Sequence, residues 1–214
     1  MANYSADDLI FIDESMFNET TGWRHAYSPV GEDTRYQCDM SRGSSWSVLP
    51  AMTLNGYLPC TGIREGYYNR DALLEWIANQ LLPTIARQFG SRIMVIVLDN
   101  CATHVAREIV ELIQSAGHLI KYLPPYSPDF NPIKLTFSIL KAWVKRHWLY
   151  RRDECSNFGE WLRLAVNESH CDQYAANQFR GSAKGCYLPE RQWEEQQERI
   201  RAYVREITGG DGSD

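Results

Sequence analysis

Two aspartates close apolar runs in this chain, and a lysine stands at a fixed point beyond the second. Asp99 ends the run Ile93-Met94-Val95-Ile96-Val97-Leu98. Asp13 ends the shorter run Leu9-Ile10-Phe11-Ile12 and is followed by Glu14-Ser15. Unbroken runs rich in β-branched residues fit strands buried on both faces of an α/β sheet. Both carboxylates then fall at strand C-terminal edges, where open α/β sheets place ligands. Taken alone, each is as well read as an ordinary strand-end acid capping a neighbouring turn. The lysine follows a corner, Leu123-Pro-Pro-Tyr-Ser-Pro-Asp-Phe-Asn-Pro132, that cannot be helical because its prolines remove donors and fix φ. Asn131 suits a helix cap and Pro132 a first helical residue, which predicts a helix to about His147. Lys134 lies three residues past that cap.

The elements that must hold these residues are legible in order. Residues 16–45 are polar and Gly-rich, with Trp23, Tyr27 and Tyr36 interleaved, and read as a long loop or hairpin insertion. Ser45 to Leu54 and Tyr57 to Ile63 flank Asn55-Gly56, a strong hairpin signal. Asn69 is positioned to cap a helix carrying Leu73, Leu74, Ile77, Leu81 and Leu82, with a kink expected at Pro83 before Gly90. Thr103 is placed to cap a helix from His104 to Ser115, which Gly117 ends, and His118 to Leu123 reads as a further strand. Three segments are expected: a core over 1–150, a helical appendage over 151–188, and a charged amphipathic helix and tail over 189–214. The last opens at Pro189, with Trp193, Ile200, Tyr203, Val204 and Ile207 on one face.

Composition narrows the class. The chain has 214 residues, enough for a substantial core, and 22 basic against 27 acidic residues. A net charge of −5 argues against a general nucleic-acid binder but leaves room for a local basic patch. No run approaches the roughly 20 apolar residues that span a bilayer, and the start has no signal-peptide pattern. The six cysteines form no CxxC pair and read as free thiols in a reducing compartment.

Four motifs then occur in order: LIFIDES, SVLPAMTLNGY, VIVLDNCATH and LPPYSPDFNPIK. Together they resemble the catalytic domain of mariner-like and pogo-like transposases of the DDE superfamily, fungal members especially. The later FRGSAKGCY is imperfectly similar to a terminal element of that family, so the likeness covers roughly residues 8–188. It implies an α/β fold, a ribonuclease H-like mixed sheet flanked by helices, with a long insertion after the first strand and a helical C-terminal extension. It also implies metal-dependent cleavage and strand transfer of DNA, with Mg or Mn as cofactor, and a nuclear location. The family's three carboxylates hold two divalent ions. By motif, the first falls on Asp13 and the second on Asp99. The third falls where Asn-Pro-Ile-Glu would end, which here is Lys134.

Chemistry gives that difference its weight. Paired hard cations about 3.5–4 Å apart activate the attacking oxygen and stabilise the leaving one, and they want oxygen ligands. A charged lysine has no lone pair to give, and it repels cations. Lys134 is either a replacement left after selection for cutting was lost, or a partner of Asp13 or Asp99 that stands in for a cation. The second is preferred because unpaired acids at close range repel. Any metal is then expected to bind weakly or not at all, on Asp13 and Asp99. Glu14 alternates to the opposite strand face, and Asp129 reads as an acid ordering the Pro-rich corner. Asn100 and His104 are candidates for orienting a water or phosphate, with capping an equal reading.

Lys141, Lys145, Arg146, Arg151 and Arg152, with Trp143 and Trp148, form one basic and aromatic cluster. It reads either as a DNA-phosphate surface or as a solvated helix face over buried tryptophans. Trp23, Arg24 and Tyr27 suit either local packing of the insertion or a clamp on a partner subunit, so a homodimer is a second expectation. Family members carry helix-turn-helix units before this domain, whereas eight residues precede the first strand here. A complete chain of this length is expected not to find terminal repeats as its relatives do, and an excised domain carries no such expectation. Two functions follow: a transposase-derived domain with cutting impaired, kept for DNA or protein interaction, or an active metal-dependent strand-cleaving domain. No membrane role is expected.

Overall fold

The computed structural model describes residues 5–19, 30–31, 43–100, 106–123, 131–174 and 176. Thr103, His104, Asp129, the Pro-rich corner from 124 to 130, Trp23, Arg24, Tyr27 and Tyr36 of the insertion, FRGSAKGCY and the segment 189–214 lie outside them.

The two apolar runs form β1 (Leu9–Ile12) and β7 (Val95–Leu98), with β2 (Ser15–Asn18), β3 (Ser45–Leu49), β4 (Ala51–Thr53), β5 (Gly56–Tyr57) and β6 (Gly62–Glu65) between them and β8 (Leu119–Tyr122) after. Five strands make one mixed sheet in the order β5-β4-β1-β7-β8. β1 and β7 are parallel neighbours, with Leu9 beside Val95, Ile10 beside Ile96 and Phe11 beside Val97. Alternation explains why neither run carries a polar residue. Ile10, Ile12, Ile96 and Leu98 face a core shared with the helices α1 (Arg70–Trp76), α2 (Leu82–Phe89) and α3 (Arg107–Ser115). Phe11, Val95 and Val97 face the opposite side, where Ile133 and Phe137 of α4 (Ile133–Arg151) cover them.

The run Ser45 to Leu54 is not one hairpin arm. Pro50, which has no N–H for a ladder, divides it. β3 joins a second, three-stranded sheet, β2-β3-β6, while β4 pairs antiparallel with β1. β2 and β3 are therefore the base of the expected insertion hairpin, paired from Ser15 opposite Val48 to Asn18 opposite Ser45. The second arm divides likewise, into β5 and β6. The Asn55-Gly56 signal does join adjacent antiparallel strands, but Thr53 pairs with Gly56, so Leu54 and Asn55 form the tip.

Gly56 has φ +103°, and a Cβ there would sit 2.5 Å from Asp172 Oδ2. Gly56→Ala is accordingly expected to lower stability by about 1–2 kcal/mol in urea denaturation, from backbone strain and this contact together. Gly66→Ala is the comparison, because its φ is +79° but its added methyl meets nothing within 4 Å. Its loss should be smaller.

The helices follow local chemistry with three departures. Asn69 caps α1 as expected, its Oδ1 accepting from the Ala72 amide at 2.9 Å. The irregularity expected at Pro83 is a π-helical turn over Ile77–Leu81, just before the proline, which absorbs the missing donor. α3 starts at Arg107 and not at His104, because Ala106 is extended (φ −118°, ψ 138°) and supplies no side-chain cap. α4 runs to Arg151, past the expected end at His147. Its last turns are held by α5 (Phe158–Glu168), whose fully buried Trp161 packs among Trp143, Trp148 and Val144. Among the described residues, no helix is long and apolar enough to cross a membrane.

Candidate active site

Asp13 follows β1 directly and is 3% exposed. Asp99 follows β7 directly, so continuing the parallel register sets the two aspartates side by side. Neighbouring strands lie about 4.8 Å apart. Three donors meet the Asp13 carboxylate. The Glu14 amide donates to Oδ1 at 2.9 Å. Asn131 Nδ2 donates to Oδ2 at 3.0 Å. Lys134 Nζ lies 2.5 Å from the same Oδ2. The pairing of Lys134 with a strand-end aspartate is thus with Asp13.

Burial pushes the Asp13 carboxyl above the usual carboxylate range; Lys134 pulls it back, and the nearby Asp99 charge pushes it up again. The pair has a second cause. Lys134 stands in the first turn of α4, which holds no acid, and a cation there opposes the helix dipole by about 0.3–1 kcal/mol. The Asp13 carboxylate offsets that.

Asn131 behaves differently from a cap. It is 4% exposed, gives its Nδ2 to Asp13, and leaves its Oδ1 buried without a partner. The turn closes through backbone alone, the Lys134 amide donating to the Asn131 carbonyl at 3.1 Å. The buried Asp13 carboxylate, brought beside the start of α4 by the fold, is the stronger attraction for the side-chain amide hydrogens. Asn100 Oδ1 is a second buried oxygen without a partner, next to Asp99.

Two positioning residues, Tyr57 at the end of the SVLPAMTLNGY motif and Thr136, carry no chemical signal of their own in the sequence. The Tyr57 hydroxyl donates to Thr136 Oγ1, which in turn donates to the Ile133 carbonyl at 2.5 Å. Tyr57 is also tied through its amide to Asp172 Oδ2 at 3.2 Å. This chain of bonds fixes the first turn of α4, and hence Lys134, against the sheet. Glu14 points away from Asp13 and accepts from the Tyr68 amide at 2.9 Å.

The basic cluster separates into two parts. Lys141, Lys145 and Arg146 are exposed on α4. Arg151 instead forks onto Glu154 and Glu168, with Nε and Nη2 2.8 Å from Glu154 and Nη1 2.6 Å from Glu168. It latches α4 to α5 above the rings of Trp143 and Trp161. Trp143 and Trp148 are half-buried around Trp161. Nothing is described of the Arg152 side chain.

Among the described residues, the donor set at this site does not suit a pair of divalent cations. Asp13 is occupied by an ammonium, and among the described residues no group of three or more His, Cys, Asp or Glu side chains is close enough to hold a metal ion.

Comparison with known proteins agrees with this architecture. A family model described as "DDE superfamily endonuclease" matches residues 8–155. No curated protein matches the chain. Among solved structures, the "Crystal structure of the mariner Mos1 paired end complex with Mg" aligns at TM-score 0.62 and 15% identity, covering 85% of this chain and 55% of that one. The "Mos1 transposase paired-end complex with left transposon end" aligns at 0.56 and 14%, covering 80% and 56%. The "Structure of Mos1 transposase catalytic domain and Raltegravir with Mg" aligns at 0.52 and 11%, covering 86% and 87%. At such identities the likeness is one of fold, and the fold is the ribonuclease H-like one. The chain spans a little over half the length of the first two relatives.

Proposed function

We propose, for a chain that belongs to the DDE superfamily of endonucleases, that it is a transposase-derived domain impaired in cutting and kept for contact with DNA or protein. The observation that carries this reading is the Lys134 ammonium 2.5 Å from Asp13 Oδ2. Asp13, Asp99 and position 134 are read as the three places where the family sets its acids, and the third offers a cation in place of two oxygen donors. Relatives of this fold are titled as complexes with Mg or Mn. Binding of either ion to this chain is read as weak or absent, because a metal must displace an ammonium from a buried carboxylate.

The finer assignments belong to the same reading. The lineage is mariner-like or pogo-like, of the fungal type, and the place of action is the nucleus. Residues 1–150 are the core, 151–188 the appendage and 189–214 the charged helix and tail. DNA is met through Lys141, Lys145 and Arg146, and a homodimer forms as in relatives. Light scattering showing only monomer at high micromolar concentration would remove the dimer.

The reading is tested by incubating the protein with supercoiled plasmid and manganese. No nicked product is expected. Nicking that disappears in Asp13→Ala and in Asp99→Ala would instead establish the second function, an active strand-cleaving domain.

A further inference from the structure

A groove of about 410 Å³ opens beside the candidate site, between the start of β2 and the first turns of α4. Glu14 and Met16 line it on the strand side, and Lys134, Phe137, Ser138 and Lys141 on the helix side. Its floor is apolar: Phe137 is buried, and Met16 is 43% exposed. Its charge is divided between two ends. At one end Glu14 accepts from the Tyr68 amide, and Lys134 is met by Asp13. At the other, Lys141 holds its Nζ 5.5 Å over the Phe17 ring, and Lys145 and Arg146 are exposed one turn further along α4. Burial and the ammoniums of Lys134 and Lys145 hold Lys141 below the usual lysine range. An acid and a crowd of cations thus stand about 18 Å apart along the helix, over an apolar floor.

One segment of the chain carries the matching pattern. Ala176 is buried in the cluster that holds Ile133 and Phe137, so the described residues end on the face of the sheet that α4 covers. Pro189 follows about a dozen residues later. An extended chain of that length spans about 40 Å, more than the roughly 28 Å of α4, so the whole groove is within its reach. From Pro189 to Glu198 there are four acids and one arginine; from Arg199 to Arg205 there are three arginines and no acid. At 100° per residue, Trp193, Ile200, Tyr203, Val204 and Ile207 share about 100° of arc. Glu190, Glu194 and Arg201 border that arc on one side. Glu194 and Arg201 are seven residues apart, the same spacing as Lys134 and Lys141.

We infer that this groove docks the chain's own segment 189–207, antiparallel to α4, with Trp193 over Met16 and Phe137, Glu190 and Glu194 against Lys141 and Lys145, and Arg201 against Glu14. In this sense each half of the segment meets the opposite charge. The parallel sense would set arginines on lysines. The tether keeps the segment at an effective concentration in the millimolar range, so modest contacts hold it. The docked segment covers Lys134, whose side chain is 44% exposed and reaches Asp13, and is an internal cover on the candidate site. The inference involves neither DNA nor metal, and it holds whether or not cutting is impaired.

The test is photocrosslinking of the 214-residue chain with p-benzoylphenylalanine in place of Ser138, read by mass spectrometry. Irradiation at low micromolar concentration should join the groove to peptides from 189–207. In a mixture of isotopically light and heavy protein, the joined peptides should carry the same label. Trp193→Ala should lower this capture about tenfold, and Lys141→Glu about fivefold. Glu194→Lys added to Lys141→Glu should restore it. The same crosslinker at Glu75, exposed on α1 across the sheet, should capture none of the segment. Circular dichroism confirms that each variant is folded. Absence of capture from 189–207 overturns the inference, as does capture that neither substitution lowers. Joined peptides of mixed label alone also overturn it, in favour of docking by a second copy.

Discussion

Lys134→Glu is expected to take up manganese with a calorimetric signal that the parent protein lacks. The substitution removes the ammonium from Asp13 Oδ2 and puts a third carboxylate beside Asp13 and Asp99. Hard divalent ions are held by such oxygen donors, and cation repulsion at the site disappears. Without metal, the variant gathers three acids around a buried position and should unfold more easily than the parent. With manganese it should recover. At a metal concentration 100 times the dissociation constant, linkage adds about 2.7 kcal/mol to the folded state. The parent's unfolding midpoint should be the same in EDTA and in manganese. Equal metal binding by both proteins would mean that Lys134 does not govern the site.

The second large effect comes from removing the lysine without replacing its charge. Lys134→Met leaves Asp13 buried, with Asn131 and the Glu14 amide as its remaining donors. Losing one partner of a buried pair costs about 3–5 kcal/mol. Lys134 keeps 44% of its side chain exposed, so screening lowers the expected loss to about 2–4 kcal/mol at neutral pH. The sign of the pH dependence follows from Asp13. Its folded-state pKa is already raised, by burial first, and losing Lys134 raises it further. A carboxyl whose pKa rises on folding favours the folded state below its unfolded value and loses that contribution as pH climbs through the folded value. The gap between parent and Lys134→Met should therefore be widest at pH 7 and close towards pH 4, near the unfolded aspartate value of about 3.9. Asp13→Asn should cost less, under about 1 kcal/mol, because the lysine left behind reaches water. Urea titrations at the two pH values measure all three. A loss for Lys134→Met that does not change with pH would remove Asp13 as its cause.

The parts of the fold that could be read in advance are those where local pattern and tertiary demand agree. β1 and β7 carry apolar residues on both faces because helices cover both faces, and parallel pairing in register puts the residues that follow them, Asp13 and Asp99, at one edge of the sheet. Asn69, by its side-chain cap, and Gly117, by its positive φ, punctuate helices through local chemistry alone. Elsewhere a distant partner overrode the local signal. The amide of Asn131 was drawn to Asp13, 118 positions away in sequence, and so did not cap α4. Arg151 reads as a phosphate contact from its basic neighbours, but Glu168 takes its guanidinium from 17 residues on. The Tyr57–Thr136 bond that seats the Lys134 turn joins a two-residue strand to a helix, and neither side announces it. Pro50 marked a break in a strand, but that the chain crosses to another sheet there depends on which strands wait on either side.

The account turns on what occupies the place between Asp13 and Asp99, and diffraction answers that directly. Crystals of the unmodified protein grown with manganese can be measured for anomalous scattering. The prediction is an electron-density map with no anomalous peak between the two aspartates and with Lys134 Nζ in contact with Asp13 Oδ2. An anomalous peak bound by Asp13 and Asp99, with the Lys134 side chain turned out toward solvent, would contradict it.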